Sequence, residues 1–363
     1  MSRSGGTALY PSPMIYVDVS AAVHSKAGLG RYSERLAGAL LARDPGRYAL
    51  FYNRGDAGPF PESLPADAPR REVRWGYKPW RMAVLLGHYG RVPFNRLVPN
   101  AELFHSTEHL LLPLRDVPTV LTVHDLRFLH GYGGLVRGLY GRHLYGRVLR
   151  RAAVVVAVSE AVREELRAAY GAGLSPLVAR NAPSLAVRAK DDVRVGEVLA
   201  RLRVAGPYVL VVARDEPRKA LRAAASAWGS ALRASGVGLV VAGAAGFASD
   251  GVTSLGAVAD DDLAALYAGA RRTLVPSRYE GFSLPIVESL AASTPVLASD
   301  LPAHRELAAA TGSGLVLVPA PRASDGPWPE GATALLATPA PVASPPSWTW
   351  DDAARVVAAA IRG

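Results

Sequence analysis

Short apolar runs rich in β-branched residues alternate along the chain with stretches whose apolar positions recur every three or four residues. This is the pattern of parallel strands joined by crossover helices. In the first half it predicts strands at 14–19, 48–52, 102–105, 119–124, 154–159 and 177–180, with helices near 30–42, 137–150 and 160–169. A second series starts afresh, with strands at 208–213, 238–242, 273–276, 295–298 and 314–318 and helices near 218–234, 260–270, 284–292 and 303–310. Residues 182–206 carry no strand pattern and read as a hinge followed by an entering helix. The Pro- and Ala-rich stretch 319–347 reads as a surface connection, after which 348–362 returns to helical periodicity with Asp351 and Asp352 in its first turn. The expectation is an α/β chain of two doubly wound, Rossmann-like parallel-sheet domains, 1–183 and 184–347, with helix 348–363 packing back on the first. Such domains turn their strand carboxyl ends and helix N-termini toward a shared central cleft where a nucleotide binds, so chemistry is sought in strand-to-helix loops.

Composition narrows that chemistry. The 363 residues are 50% hydrophobic and 20% charged, ordinary for a folded chain long enough to bury two cores. With no cysteine there is no disulfide framework, no thiolate nucleophile and no Cys-ligated metal. The N-terminus has no apolar signal-like region, and the long uncharged stretch 331–350 is interrupted by Pro339, Pro341, Pro345 and Pro346, so the expected location is cytoplasmic.

The net charge of +10 is uneven: residues 1–195 hold 27 Lys+Arg against 16 Asp+Glu, and 196–363 hold 14 against 15. A basic half suits nucleic acid, anionic lipid or an acidic small molecule, although Arg-rich usage also follows from a high-GC genome. Two runs concentrate the charge. Arg70–Arg81 interleaves cations with Trp75, Tyr77 and Trp80, and a second run spans Arg137–Arg151. Either can dock peripherally on an anionic inner membrane face or stack on a ligand, and a solvated basic face is the plainer alternative.

The sharpest segment runs from Pro276 through Ser277, Arg278, Tyr279, Glu280, Gly281, Phe282, Ser283 and Leu284 to Glu288, leaving a strand and opening a helix. Glu280 lies in the loop, within reach of a polyhydroxyl ligand. Glu288 lies one turn into the helix, where a carboxylate accepts a pair of hydroxyl hydrogen bonds, and the N–H groups of Gly281 to Leu284 point at an anion. Taken alone, the pair also reads as acids favouring a helix N-terminal region. Arg214 and Lys219, five residues apart at another strand end, would neutralise the charge that grows on a departing diphosphate, and Arg218 reads as solvent-facing. Gly28 and Gly30 follow the first strand and let backbone approach a ligand at a helix start. His124 and Asp125 end a further strand, with His105 and His109 upstream. Asp260, Asp261 and Asp262 read as an acidic first helical turn, because three sequential aspartates cannot converge on one cation, and no metal site is expected.

Together these strings resemble the retaining glycosyltransferases of family 4, which have the GT-B fold. The block from Glu280 to Glu288 matches the family's E-x7-E motif and continues with Ser293-Thr294-Pro295-Val296-Leu297-Ala298-Ser299-Asp300. Gly28-Leu29-Gly30-Arg31-Tyr32 matches its first glycine-rich loop, and His124-Asp125 its His-Asp motif. The resemblance covers nearly the whole chain. It implies transfer of a hexose-type sugar, mannose ahead of glucose, from a GDP- or UDP-linked donor to a hydroxyl of a glycan, glycolipid or small metabolite. Anomeric configuration would be retained, with no metal and no cofactor beyond the nucleotide sugar, and the leaving diphosphate would help take the acceptor proton.

By resemblance Arg214 and Lys219 hold the donor pyrophosphate, Glu288 the ribose and Glu280 the transferred sugar, with Gly281, Phe282, Ser283 and Leu284 also binding the donor, and His124, Arg214, Lys219 and Glu280 form the catalytic set. Gly28 and Gly30 would lie near the donor phosphate, His124 would touch the donor sugar, and His105, His109 and Asp125 would stand on the acceptor side. Asn181-Ala182-Pro183 resembles the family's Asn-Gly hinge with Ala in place of Gly, and Glu306 matches a structural glutamate. The alternatives are a nucleotide-sugar epimerase of the same fold or a non-catalytic nucleotide- or nucleic-acid-binding protein. The last explains the basic half but not the Glu and Arg/Lys blocks, so nucleic acid is not the expected partner. An anionic or lipid-linked acceptor suits the basic first domain.

Overall fold

The two series of apolar runs become two parallel sheets in the computed structural model, which describes residues 13–24, 27–55, 60–132, 134–319, 331–338 and 342–362. The first sheet holds β1 (Met14–Asp18), β2 (Tyr48–Asn53), β3 (Arg70–Val73), β4 (Ala101–Ser106), β5 (Thr119–Val123), β6 (Val154–Ala157) and β7 (Leu177–Val178), in the order β3-β2-β1-β4-β5-β6-β7. The second holds β8 (Tyr208–Val212), β9 (Gly238–Ala242), β10 (Val252–Gly256), β11 (Arg272–Val275), β12 (Val296–Ser299) and β13 (Leu315–Val318), in the order β10-β9-β8-β11-β12-β13. All pairings are parallel. The strand order reverses between β1 and β4 and again between β8 and β11. Loops leaving the carboxyl ends diverge there and open a crevice within each sheet's own unit.

Central strands carry continuous apolar runs because helices cover both faces of the sheet, and β1, β2 and β5 have no exposed position. Phe51 and Phe104 meet edge to face at 5.4 Å in the first core. Trp228, on helix Leu221–Ala234, fills the second core beside Val209, Val211 and Leu274. Gly229 on the same helix is required by packing: a Cβ there would stand 2.5 Å from the Asp250 carbonyl oxygen.

The chain forms two compact units. One holds the described residues up to Leu126, then Leu135–Asn181 and helix Trp350–Arg362; the other holds Arg127–Gly134 and Ala182 to Thr349. Helix Trp350–Arg362 lies on helix Ala27–Arg43, with Arg43 paired to Asp351 at 2.6 Å and the Tyr32 and Trp350 rings 5.7 Å apart. Helix Val193–Arg201 begins at Asp192, whose side chain accepts the Arg194 N–H.

Several expectations need correction. The helix expected at 137–150 is broken into Gly134–Tyr140, a π turn over Gly141–Tyr145, and Gly146–Leu149. The connection 319–347 is not wholly a surface strand of chain. Helix Ala332–Ala337 sinks Ala332 and Leu336 into the second core, whereas 320–330 and 339–341 lie outside the described residues. The edge strands β3 and β10 and helix Tyr77–Gly90 were not expected. β3 has a single buried position and β10 none, so neither carries an apolar run.

Candidate active site

At the second sheet's reversal, the loops after β8 and β11 meet. The Glu280 carboxylate, its side chain 7% exposed, is bonded by Lys219 through one oxygen and by Arg218 Nη1 at 3.1 Å through the other. The Ser277 hydroxyl adds a 2.6 Å bond. Burial alone would push this carboxyl up, but the Lys219 and Arg218 cations and the hydrogen bonds from Lys219 and Ser277 outweigh it and hold it at about 2. Arg218, read from sequence as solvent-facing, is turned inward: it bridges Glu280 and Glu216, with Nε 3.0 Å from the latter. Arg214 is exposed, and its guanidinium makes no ion pair among the described residues. Cation capacity therefore exceeds what the protein itself neutralises.

The backbone entering both helices is held in the left-handed region by non-glycine residues. Ala220 has φ 50° before helix Leu221–Ala234, and Ser283 has φ 109° before helix Leu284–Ala291. Such outliers cost on the order of 1–3 kcal/mol each and concentrate at functional sites. The Ser283 hydroxyl is buried with no hydrogen-bond partner among the described residues. Phe282 and Leu284 on either side of Ser283 are buried. Glu288 is also buried and lines a small hollow with Leu185, Val187, Ala264 and Tyr267.

Sequence reasoning missed His304. It is fully buried in the first turns of helix Pro302–Thr311, and its Nδ1–H donates to the Ser299 carbonyl at 2.7 Å. Its Nε2 has no partner among the described residues, and its pKa is lowered by burial, although Glu280 opposes this. A histidine just after a strand end was the available signal. The three aspartates open helix Asp260–Gly269, where Asp261 and Asp262 pair with Arg188 and Arg201.

At the first sheet's reversal, β1, β4 and β5 are tied at their carboxyl ends. The Thr107 hydroxyl donates to the Asp18 carbonyl at 2.5 Å, and His124 Nε2 donates to the Thr107 carbonyl at 2.7 Å. A carbonyl only accepts, so Nε2 carries the proton and Nδ1 keeps its lone pair. The ring stands edge-on to Tyr32 at 4.5 Å. Burial, then the nearby His109, lowers the His124 pKa from 6.5 to about 4. An NMR titration is expected to show a midpoint near pH 4 with the Nε2–H tautomer above it; a midpoint near 6.5 would place His124 in water instead.

His105, expected on the acceptor side, has no exposed surface. It bonds the Thr122 hydroxyl at 2.9 Å, which also meets Tyr32 at 3.0 Å, so it supports the floor under His124 and is not placed to touch an acceptor. His109 is half-buried and shares a 3.3 Å hydrogen bond with Tyr145, and Asp125 follows His124 in a half-buried position. Gly28 is exposed in the first turn of helix Ala27–Arg43. Gly30 is buried by close approach, since a Cβ would lie 3.0 Å from the Ala21 carbonyl.

The same regions are matched by two family models. Residues 27–178 match the model described as Glycosyltransferase Family 4, and residues 206–326 match that described as Glycosyl transferases group 1. The chain is 26% identical over 224 residues to the O-antigen chain mannosyltransferase RfbU of Salmonella typhimurium, covering 57% of this chain and 59% of that protein. It is 51% identical over 51 residues to the MMP alpha-(1->4)-mannosyltransferase of Mycolicibacterium hassiacum, which is 14% of this chain and 12% of that one. It therefore spans less than two thirds of either relative. Among solved structures, sucrose-phosphate synthase from Thermosynechococcus elongatus superposes with a TM-score of 0.64 at 17% identity, over 96% of this chain and 94% of that one. Anabaena HepE, solved with UDP and glucose, superposes with 0.60 at 16% identity, over 97% and 95%. Two reversing parallel sheets, this likeness of fold and two consecutive family matches lead to one assignment: the chain belongs to glycosyltransferase family 4 and has the GT-B fold.

Proposed function

We propose that the chain transfers a hexose, mannose ahead of glucose, from a nucleotide-linked donor to a hydroxyl acceptor, with retention of configuration and without a metal. The observation that carries this is the cluster of Lys219, Arg218 and Glu280, with Arg214 making no ion pair among the described residues, set where the second sheet reverses. Arg214 and Lys219 hold the diphosphate, and their attraction grows as the glycosidic bond breaks and charge gathers on the leaving oxygen. Glu280 takes hydroxyls of the transferred sugar and Glu288 those of the ribose. The N–H groups opening helix Leu284–Ala291 and the Ser283 hydroxyl face the phosphates. Neutral His124 offers Nδ1 as an acceptor to a sugar hydroxyl. A phosphate oxygen of the leaving group takes the acceptor proton, so the protein positions and neutralises. The names of the mannosyltransferase relatives support mannose, and GDP is the base we favour with it.

Thermal-shift measurements with GDP, UDP and ADP and their mannose and glucose conjugates test the donor. GDP-mannose is expected to give the largest stabilisation, and NMR of the product an α-linked sugar; isomerised donor without transfer would indicate an epimerase. Activity is expected to survive EDTA, and recovery only with Mg²⁺ or Mn²⁺ would overturn the metal-free reading. Calorimetry separates the carboxylates. Glu288→Gln is expected to weaken nucleoside diphosphate and nucleotide sugar alike by about 1.5–3 kcal/mol. Glu280→Gln is expected to weaken only the intact nucleotide sugar, because it leaves Lys219 free for the phosphates. Equal loss of the bare diphosphate in both variants would show that the roles are not divided.

A further inference from the structure

A diphosphate that draws on Lys219 takes a cation away from Glu280, so the carboxylate must keep its place through its other partners. Arg218 Nη1 holds one oxygen at 3.1 Å, and the Ser277 hydroxyl bonds the other at 2.6 Å. Arg218 is itself seated by Glu216, with Nε 3.0 Å from Oε2. The same Glu216 oxygen lies 4.0 Å from Arg127 Nη1. Charges of alternating sign therefore run from Arg127 through Glu216 and Arg218 to Glu280.

A second contact reaches the same loop. The His130 ring stacks at a tilt on Tyr279, the residue before Glu280, with centroids 4.5 Å and planes 34° apart, and the Tyr132 ring stands 6.3 Å from Tyr279 at 30°. Arg127 and His130 are the two ends of a 3₁₀ turn, and the Tyr132 N–H closes it onto the Arg127 carbonyl at 3.1 Å. This turn leaves β5 just after His124, yet it belongs with the second unit.

The loops it meets are strained. Ala220 and Ser283 hold left-handed backbone just beyond Lys219 and Glu280, and such conformations persist only where the surroundings over-determine them. The Arg278 N–H bonds the Arg218 carbonyl at 2.8 Å, so the loops after β8 and β11 are joined and a support to one steadies both. His130 is exposed and the Arg127 side chain is 30% exposed. Contacts this open to water add little to folding stability, which leaves the placement of the loops as what they supply.

We propose that Arg127 and His130 are positioning residues for Glu280: their turn braces the two loops so that the carboxylate stays aimed at the transferred sugar while Lys219 serves the diphosphate. This rests on the reading that Glu280 takes hydroxyls of that sugar.

Calorimetry tests it with GDP and GDP-mannose or with UDP and UDP-glucose, whichever pair stabilises the wild type more. Arg127→Ala with His130→Ala is expected to weaken the nucleotide sugar on the order of tenfold and the bare diphosphate by less than about twofold. Arg127→Lys with His130→Phe keeps the charge and the ring, and is expected to stay within about twofold of wild type for both ligands. His130→Ala alone, at an exposed position, serves should the alanine pair fold poorly, with a loss of about threefold confined to the nucleotide sugar. Equal loss of both ligands, or a loss that the conservative pair shares, would overturn the proposal. Glu280→Gln is the reference. If it weakens only the nucleotide sugar while the alanine pair binds as wild type does, the brace alone is refuted; if it weakens both ligands alike, the reading of Glu280 and the brace fall together.

Discussion

Lys219→Ala is expected to lower turnover by roughly 30- to 1000-fold, a loss of about 2–4 kcal/mol of transition-state stabilisation, with a smaller effect on donor affinity. Two effects combine in it. The diphosphate loses a cation as its charge develops, and Glu280 keeps only Arg218 and Ser277 as the partners described around it. Arg214→Ala is the cleaner companion. Its guanidinium is exposed and makes no ion pair among the described residues, so folding stability should stay within about 0.5 kcal/mol while turnover falls as for Lys219. Steady-state kinetics with urea denaturation of both variants separates chemistry from folding. Wild-type turnover in both would remove these cations from the mechanism.

Glu280 should leave a signature in acid stability. Its carboxyl is depressed from 4.5 to about 2, so its contribution is fully present above pH 4.5 and is lost as pH falls toward 2. The displacement corresponds to about 3 kcal/mol. Glu280→Gln should therefore be the less stable protein at neutral pH, because Lys219 and Arg218 remain half-buried without their anion. The gap to wild type should close between pH 4.5 and 2. Urea denaturation of both proteins across that range measures it, and a gap that stays constant would mean the carboxylate is not held by the two cations.

Much of this architecture was legible because buried parallel strands write themselves as unbroken apolar runs, as β1, β5, β8 and β12 do. Edge strands have one solvated side and no such run, so β3, with the sequence Arg-Arg-Glu-Val, was invisible. Site residues were legible as motifs but their partnerships were not. Position alone does not tell that Arg218 turns inward while Arg214 makes no ion pair among the described residues, because Arg218 is drawn in by Glu216 beside it and by Glu280, which is 62 residues away in the sequence. His105 looked available because it stands four residues from His109, yet it is the last but one residue of a fully enclosed strand segment. His304 was overlooked because a single histidine just after a strand end is a weak signal, and its enclosure and an Nε2 with no partner among the described residues single it out.

The path of the chain also has a temporal consequence. Helix Trp350–Arg362 completes the unit built on β1 to β7, yet the entire second sheet is encoded between them. On the ribosome, the stretch from Ala182 to Thr349 emerges before that helix can seat against helix Ala27–Arg43, so the unit begun first is closed last. During that interval the helix Ala27–Arg43 surface that later receives helix Trp350–Arg362 waits uncovered, the condition under which chaperones engage nascent chains. Expression of a fragment ending at Asn181 would preserve this unsealed state, and supplying Trp350–Arg362 as a separate peptide should restore its solubility.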